Sequence, residues 1–341
     1  MSQKKKSKEH KNISIIGDGG MGTVLGMLLC EKGMSARMWG YDAEQLGEFA
    51  RRRENMKFLP GYRIPDSLVL EPDDASIMAG VDLVVSAVPC QYMRRVWERL
   101  KDHLPENVPI VSVAKGIENG TLLRPTQVLA DVIGGNVQCA VLSGPTIADE
   151  LARKLPATAC AAAEDTDLAE AVQHIFSDDV PWLRVYSNTD VLGVELAGAM
   201  KNVIAIAAGI IDGLGLGDNA KAALLTRGLA EITRLGLAMG ARQETFAGLT
   251  GLGDLVTTCI SPTGRNRSFG ERIGRGVSVE QAKGVTESVV EGIATCESVV
   301  ALADRYDVEM PITQAIYHVI FKGKSVQAAL SDLMSRRLKP E

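Results

Sequence analysis

The run GVELAGAMKNVIAIAAG, residues 193–209, is apolar except for Glu195, Lys201 and Asn202. An unpaired ammonium buried in such a run is costly, so Lys201 has three possible settings. It is a functional charge inside a membrane span, a side chain that snorkels at an edge, or a proton carrier in a closed pocket. In the last case desolvation lowers its pKa and lets it donate or accept a proton near neutral pH. Val191 to Ile211 is long enough to span a bilayer. However, Glu195, Lys201 and Asn202 interrupt it, no other segment resembles a span and no aromatic belt flanks it. The expectation is a helix buried in a soluble, non-membrane protein. Glu195, six residues before Lys201, is off the i,i+4 spacing of a helical partner. Snorkelling and chemistry both remain open at this point.

Three further clusters have reactive or ligand-holding character. Lys115, in SVAKGIE, follows an apolar strand, and ligands of open α/β sheets bind at the carboxyl ends of strands. In LTGLGDLVTTCISPTGRNRSFG, residues 249–270, Asp254 opens a helix after a glycine turn, a good N-cap position. Thr258 lies four residues on, on the same face. Gly264, Arg265 and Asn266 then offer a guanidinium beside backbone N–H groups, a suitable phosphate receptor. The third cluster is IIGDGGMGT, where Gly17, Gly19 and Gly22 form GxGxxG between a strand and a helix. Its glycines allow a tight turn, the approach of a pyrophosphate, and close packing of helix on strand. Asp18 places a carboxylate inside that fingerprint, against a diphosphate. Asp42 is the nearest acid for an NAD ribose, a few positions late. Arg37 and the run Arg51, Arg52 and Arg53 are candidates for a 2′-phosphate, although the run reads more readily as a solvated helix face. NAD and NADP both stay open.

The elements that must position these residues change halfway along the chain. NISIIG (12–17), ARMW (36–39), DLVVSAV (82–88), PIVSVA (109–114) and QCAVLSG (138–144) are apolar strands separated by helical patterns, and 20–32 is the first of those helices. Such continuous runs suit a parallel sheet covered on both faces, a doubly wound α/β fold. PATACAAA (156–163) and WLRVYS (182–187) are expected to add outer strands. From about Asp190 only helical segments follow, at about 190–212, 218–239, 288–305, 311–322 and 325–336. The expected organisation is a basic flexible tail at 1–11, a Rossmann-type dinucleotide-binding domain at 12–189, and an all-helical substrate and catalytic domain at 190–341.

Composition narrows the class. The 341 residues are 46% hydrophobic and 23% charged, with a net charge of -5, which gives no footprint for nucleic acid. Six cysteines without CxxC spacing read as reduced thiols of a cytoplasmic protein. Four histidines without ligand spacing argue against a metal. MSQKKKSKEHK is basic, and no apolar run follows it, so it is not a secretory signal.

In this order, IIGDGGMGT, AKGIE, LSGPTIADELA, VELAGAMKNVIAIAAGIIDGL, LTGLGDLVTTC, GRNRSFG and VVEG resemble the NAD(P)-dependent glycerol-3-phosphate dehydrogenases of the bacterial biosynthetic type. The matching segments span residues about 12 to 292. The resemblance implies reversible reduction of dihydroxyacetone phosphate to sn-glycerol 3-phosphate, supplying the backbone of phospholipids, with NAD or NADP as cofactor. It implies Lys201 as proton donor and Lys115 as the residue that orients substrate. Asn202, Asp254 and Thr258 would bond the substrate oxygens, and Gly264, Arg265 and Asn266 would hold its phosphate. Gly144 and Thr146 would line the pocket. Gly17, Gly19, Gly20, Met21, Gly22, Tyr41, Lys115, Ala148, Arg265, Val289 and Glu291 would contact the cofactor. A cytoplasmic homodimer is the implied setting. Three positions depart from the family: Gly264 and Thr146 each stand where serine is common, and Asp18 stands where a small residue is usual. Two rival readings share the architecture: another two-domain hydroxy-acid or opine dehydrogenase, and a dinucleotide sensor without turnover. Loss of the lysine would mark the sensor, and both Lys115 and Lys201 are present.

Overall fold

The computed structural model of the chain describes residues 11–285 and 289–338. All of the expected basic tail except Lys11 lies outside the described residues, as does Ser288 at the expected start of one helix.

The apolar runs of the first half form ten strands: β1 (Asn12–Ile16), β2 (Ser35–Trp39), β3 (Glu54–Asn55), β4 (Leu59–Arg63), β5 (Val69–Leu70), β6 (Leu83–Ser86), β7 (Ile110–Ser112), β8 (Cys139–Ser143), β9 (Ala157–Ala163) and β10 (Leu183–Asn188). Eight make one sheet in the order β10-β9-β8-β7-β6-β1-β2-β5, and β3 pairs with β4 separately. β1 lies between β2 and β6 with both neighbours parallel, and it is flanked by helices such as Gly20–Glu31 and Cys90–Leu100. The side chains of Ile13, Ile15 and Ile16 are fully buried, as strands covered on both faces require.

Two features differ from expectation. The sheet is not wholly parallel, because β9 pairs antiparallel with β8 while β10 runs parallel to β9. The β8–β9 connection carries only the short helix Ala148–Ala152, and an antiparallel return needs no long crossover. The two-residue strand β5 and the β3–β4 hairpin have no sequence signature, since segments that short show no periodicity.

After Asn188 the described chain is helical. The expected helices appear as Val191–Leu214, Gly217–Ala238, Glu291–Arg305, Pro311–Phe321 and Val326–Met334, and Gln243–Ala247, Asp254–Ile260, Arg265–Gly274 and Val279–Gly284 are added between them. The 24-residue helix Val191–Leu214 is long and apolar enough to cross a membrane, but 94% of its most apolar window is buried inside the protein. It is a core helix. Asp190 caps its start, accepting from the Gly193 N–H at 2.9 Å. Glu195 is buried and accepts from Arg124 and from the N–H and hydroxyl of Thr126 at 2.8 Å. That arrangement ties the helix to the α/β half and removes the question of a lone carboxylate.

This helix and Arg265–Gly274 meet backbone to backbone. A Cβ on Gly209 would lie 1.9 Å from the Arg267 carbonyl oxygen, and one on Gly213 2.3 Å from that of Glu271. On the facing helix, a Cβ on Gly270 would lie 2.0 Å from the Ile206 carbonyl oxygen, and one on Gly274 2.5 Å from that of Ile210. Gly209→Ala is therefore expected to push the helices apart and to lower stability by about 1–3 kcal/mol, the usual range for overpacking. Chemical denaturation compared with wild type checks this, and an unchanged midpoint would refute the contact.

Candidate active site

Strand ends and helix starts converge where the two halves meet. Gly17 follows β1 with φ +116°, and a Cβ there would lie 2.7 Å from the Ala87 carbonyl oxygen. A Cβ on Gly22 would lie 2.2 Å from the Gly17 carbonyl oxygen, whereas one on Gly19 meets nothing within 4 Å. The first and third glycines thus close the strand–helix turn, and the second leaves open space at the start of helix Gly20–Glu31. No side chain caps that helix, so its first N–H groups face an anion-binding position. This cradle fits a dinucleotide pyrophosphate. Ala148 Cβ is 3.6 Å from where a Cβ on Gly20 would stand, so Ala148 borders the same loop; Met21 is half-buried and Tyr41 exposed.

The expected ribose and 2′-phosphate groups are occupied elsewhere. Asp42 caps helix Ala43–Arg52, accepting from the N–H groups of Glu44 and Gln45 at 3.0 and 3.1 Å. Arg37 donates to the carbonyls of Ser76 and Ala79, Arg53 to those of Pro65 and Leu68, and Arg52 pairs with Glu48. Arg51 is exposed on the last turn of the same helix.

The two lysines meet on one carboxylate. Lys115, just past β7, donates to Asp254 Oδ2 at 2.7 Å and to the Gly144 carbonyl at 2.9 Å. Lys201 donates to Asp254 Oδ1 at 2.7 Å and to the Thr258 hydroxyl, which lies 3.3 Å from the same oxygen. Lys201 and Asp254 are both buried. The expected N-cap role of Asp254 is therefore corrected. A π-turn, Leu249–Gly253, feeds directly into Asp254–Ile260, so Gly253 takes the cap position and the carboxylate is free to face the lysines. Burial lowers the Lys201 pKa to about 8, and Lys115 adds to the lowering while Asp254 opposes it. For Asp254, burial acts to raise the pKa, but the two ammonium groups outweigh it and hold the carboxyl below its ordinary value. Lys201 thus neither snorkels nor lacks a partner.

Asn202, the next residue, accepts at Oδ1 from Asn266 Nδ2 at 2.9 Å, and Asn266 Oδ1 accepts from the Gly292 N–H at 2.9 Å. Asn202 Nδ2 is buried with no hydrogen-bond partner, an unusual condition for an amide and one expected of a group awaiting a ligand. Gly264 occupies the N-cap position of Arg265–Gly274 without a side-chain cap, and the exposed Arg265 donates to the Val289 carbonyl at 3.2 Å. Glu291 begins the next helix; burial raises its pKa against the attraction of Arg265, Lys201 and Lys115. Gly144 has φ +140° and its carbonyl also accepts from the Thr146 hydroxyl at 3.2 Å. One polar chamber therefore gathers Lys115, Gly144, Thr146, Lys201, Asn202, Asp254, Thr258 and Asn266, with Arg265, Val289 and Glu291 at its mouth. Among the described residues no group of three or more His, Cys, Asp or Glu is placed to hold a metal. Sequence reasoning missed the Arg124–Glu195 pair and the Asp254 bridge, which join residues far apart in the chain.

Profiles of the NAD-dependent glycerol-3-phosphate dehydrogenase N-terminus and C-terminus match residues 12–169 and 190–331. This chain belongs to that family. A Mycobacterium bovis protein named glycerol-3-phosphate dehydrogenase (NAD(P)+) 2 is 46% identical over 330 residues, covering 96% of this chain and 98% of the relative. A Geobacter sulfurreducens glycerol-3-phosphate dehydrogenase (NAD(P)+) is 46% identical, covering 97% and 99%. The crystal structure of glycerol-3-phosphate dehydrogenase from Coxiella burnetii superposes with a TM-score of 0.91 at 36% identity, covering 96% of this chain and 99% of that one. The family is NAD(P)-dependent, in agreement with the glycine cradle.

Proposed function

We propose that Lys201 is the proton donor in the reversible NAD(P)H-dependent reduction of dihydroxyacetone phosphate to sn-glycerol 3-phosphate, the reaction of this family. The observation that carries the reading is a buried ammonium with its pKa near 8, held between a carboxylate and a hydroxyl. Reduced nicotinamide supplies the hydride to the substrate's C2. Negative charge then grows on the former carbonyl oxygen, and a fixed cation in a dry site stabilises it and delivers a proton. Lys115 orients the substrate and, with Asp254, holds Lys201 in place. The unpaired amide of Asn202 donates to a substrate oxygen. Arg265, Asn266 and the uncapped helix start at Gly264 receive the phosphate, which contributes binding energy away from the reacting carbon. A backbone N–H at Gly264 takes the place of the serine hydroxyl common in relatives. Gly17, Gly19, Gly20, Met21, Gly22, Tyr41, Ala148, Val289 and Glu291 border the cofactor, with residues 12–189 as the dinucleotide-binding part and 190–341 as the substrate-binding part. A cytoplasmic homodimer is part of the same reading: the six cysteines carry no disulfide, and sedimentation would test the oligomeric state.

The test follows loss of reduced nicotinamide absorbance with dihydroxyacetone phosphate, and separately with 2-keto acids. Turnover with the phosphorylated triose alone supports the reading; turnover only with a keto acid would put a different dehydrogenase in its place. The pH dependence is a second expectation. Reduction needs the Lys201 cation and oxidation needs the neutral amine. kcat/KM for reduction should therefore fall as pH rises through about 8, and that for oxidation should rise over the same interval. Parallel limbs in both directions would assign the titration to another group.

A further inference from the structure

The carboxylate inside the glycine fingerprint has a defined place. A Cβ built on Gly40 would lie 2.9 Å from both Cγ and Oδ2 of Asp18, so this side chain presses on the backbone just beyond the end of β2. Oδ2 accepts from Gln45 Nε2 at 2.7 Å, and Gln45 in turn accepts from Lys57 at 3.1 Å. The Asp18 carbonyl accepts from Asn55 Nδ2 at 2.7 Å, which fixes the loop from the β3–β4 side. Asp18 is half-buried, so one side of it still faces solvent.

In dinucleotide-binding folds the end of the second strand is where an acid meets the adenosine ribose. Here the acid of that strand end, Asp42, is committed to capping a helix, and Asp18 reaches the same place from the first loop. The nearby cations are engaged elsewhere: Arg37 and Arg53 on backbone carbonyls, Arg99 on Asp74, and Arg95 over the Tyr41 ring at 5.1 Å. We propose that Asp18 selects the coenzyme: its carboxylate accepts from the ribose 2′-hydroxyl of NAD(H) and repels the 2′-phosphate of NADP(H). Burial raises the Asp18 pKa, while Gln45 and Lys57 act to hold it down. Asp18 thus substitutes for the acid that the second strand does not provide, and it makes the protein NAD-preferring within an NAD(P)-dependent family.

The test is direct binding, independent of turnover. NADH and NADPH are titrated into the protein and followed by nicotinamide fluorescence, with wild type, Asp18→Asn and Asp18→Ser. Asp18→Asn keeps the size of the side chain and its contact with Gln45 while removing the charge; Asp18→Ser removes both. Wild type should bind NADH at least about tenfold tighter than NADPH, a difference of about 1.4 kcal/mol. Asp18→Asn should tighten NADPH by a similar factor and weaken NADH, and Asp18→Ser should shift the ratio in the same direction. Wild type binding both coenzymes equally, or NADPH more tightly, overturns the proposal. So do variants that weaken both coenzymes by the same factor, since that would reduce Asp18 to a packing contact on Gly40. Turnover with dihydroxyacetone phosphate is measured in parallel, so failure of the substrate assignment would show separately from failure of coenzyme selection.

Discussion

Replacing Lys201 with alanine is expected to lower kcat for reduction by about 10³–10⁴-fold, the upper part of the range for a lost general acid, while leaving the Kd for NADH nearly unchanged. The two readouts separate because Lys201 lies on the helical half and bonds Asp254 and Thr258, whereas the glycine cradle is built from the turn after β1. Loss of kcat together with cofactor affinity would indicate a collapsed fold rather than a missing acid. Lys201→Met controls for that outcome, since it fills the same apolar surroundings without an ammonium. Partial restoration by small alkylamines, rising with the fraction of protonated amine, would assign the missing group as a proton donor. A variant retaining wild-type kcat would end the assignment.

Asp254→Asn is the second large effect. The carboxylate is the sole counter-charge bonded to both Lys115 and Lys201 among the described residues. Removing one partner of a buried ion pair typically costs about 3–5 kcal/mol, and here two ammonium groups would face each other without it. Asp254 opposes the lowering of the Lys201 pKa and Lys115 drives it, so in the variant that pKa should fall below about 8. The descending limb of the reduction profile should move to lower pH by about one unit or more, which corresponds to ~1.4 kcal/mol per unit. At neutral pH more of the lysine is then uncharged, and kcat/KM for reduction should fall by roughly 10²-fold. A loss of activity with the pH limb unmoved would mean that Asp254 positions substrate and does not set the charge of Lys201.

Much of this was legible in the sequence, for identifiable reasons. β1, β2, β6, β7 and β8 are continuous apolar runs, and two-sided burial produces that pattern. The helix around Lys201 was legible because its apolar residues are unbroken on all faces. β5 and the β3–β4 hairpin are too short to show a period, and the antiparallel turn of β9 depends on how the chain returns from β8, which no local pattern records. At the site, residue types were readable and pairings were not. Asp254 and Thr258 share a helical face by spacing, but that Asp254 bridges Lys115 and Lys201 follows from packing across the two halves. The same holds for Glu195, whose partners Arg124 and Thr126 lie about 70 positions away. Asp18 was visible as an oddity within the fingerprint, and its contact with Gly40 required the fold.

The paired glycines of the two central helices have a consequence for substrate length. Gly209 and Gly213 on one helix, and Gly270 and Gly274 on the other, recur at intervals of four and seat each backbone against its neighbour. Sliding either helix by one residue would drive a Cβ into a carbonyl, so the register has no nearby alternative. Lys201 and Asn202 lie on the first helix, Arg265 and Asn266 at the start of the second. The separation between proton donor and phosphate receptor is therefore set by main-chain contact and not by adjustable side chains. The pair acts as a rigid calliper, its jaws closed on a molecule whose phosphate and reacting carbon stand one fixed distance apart.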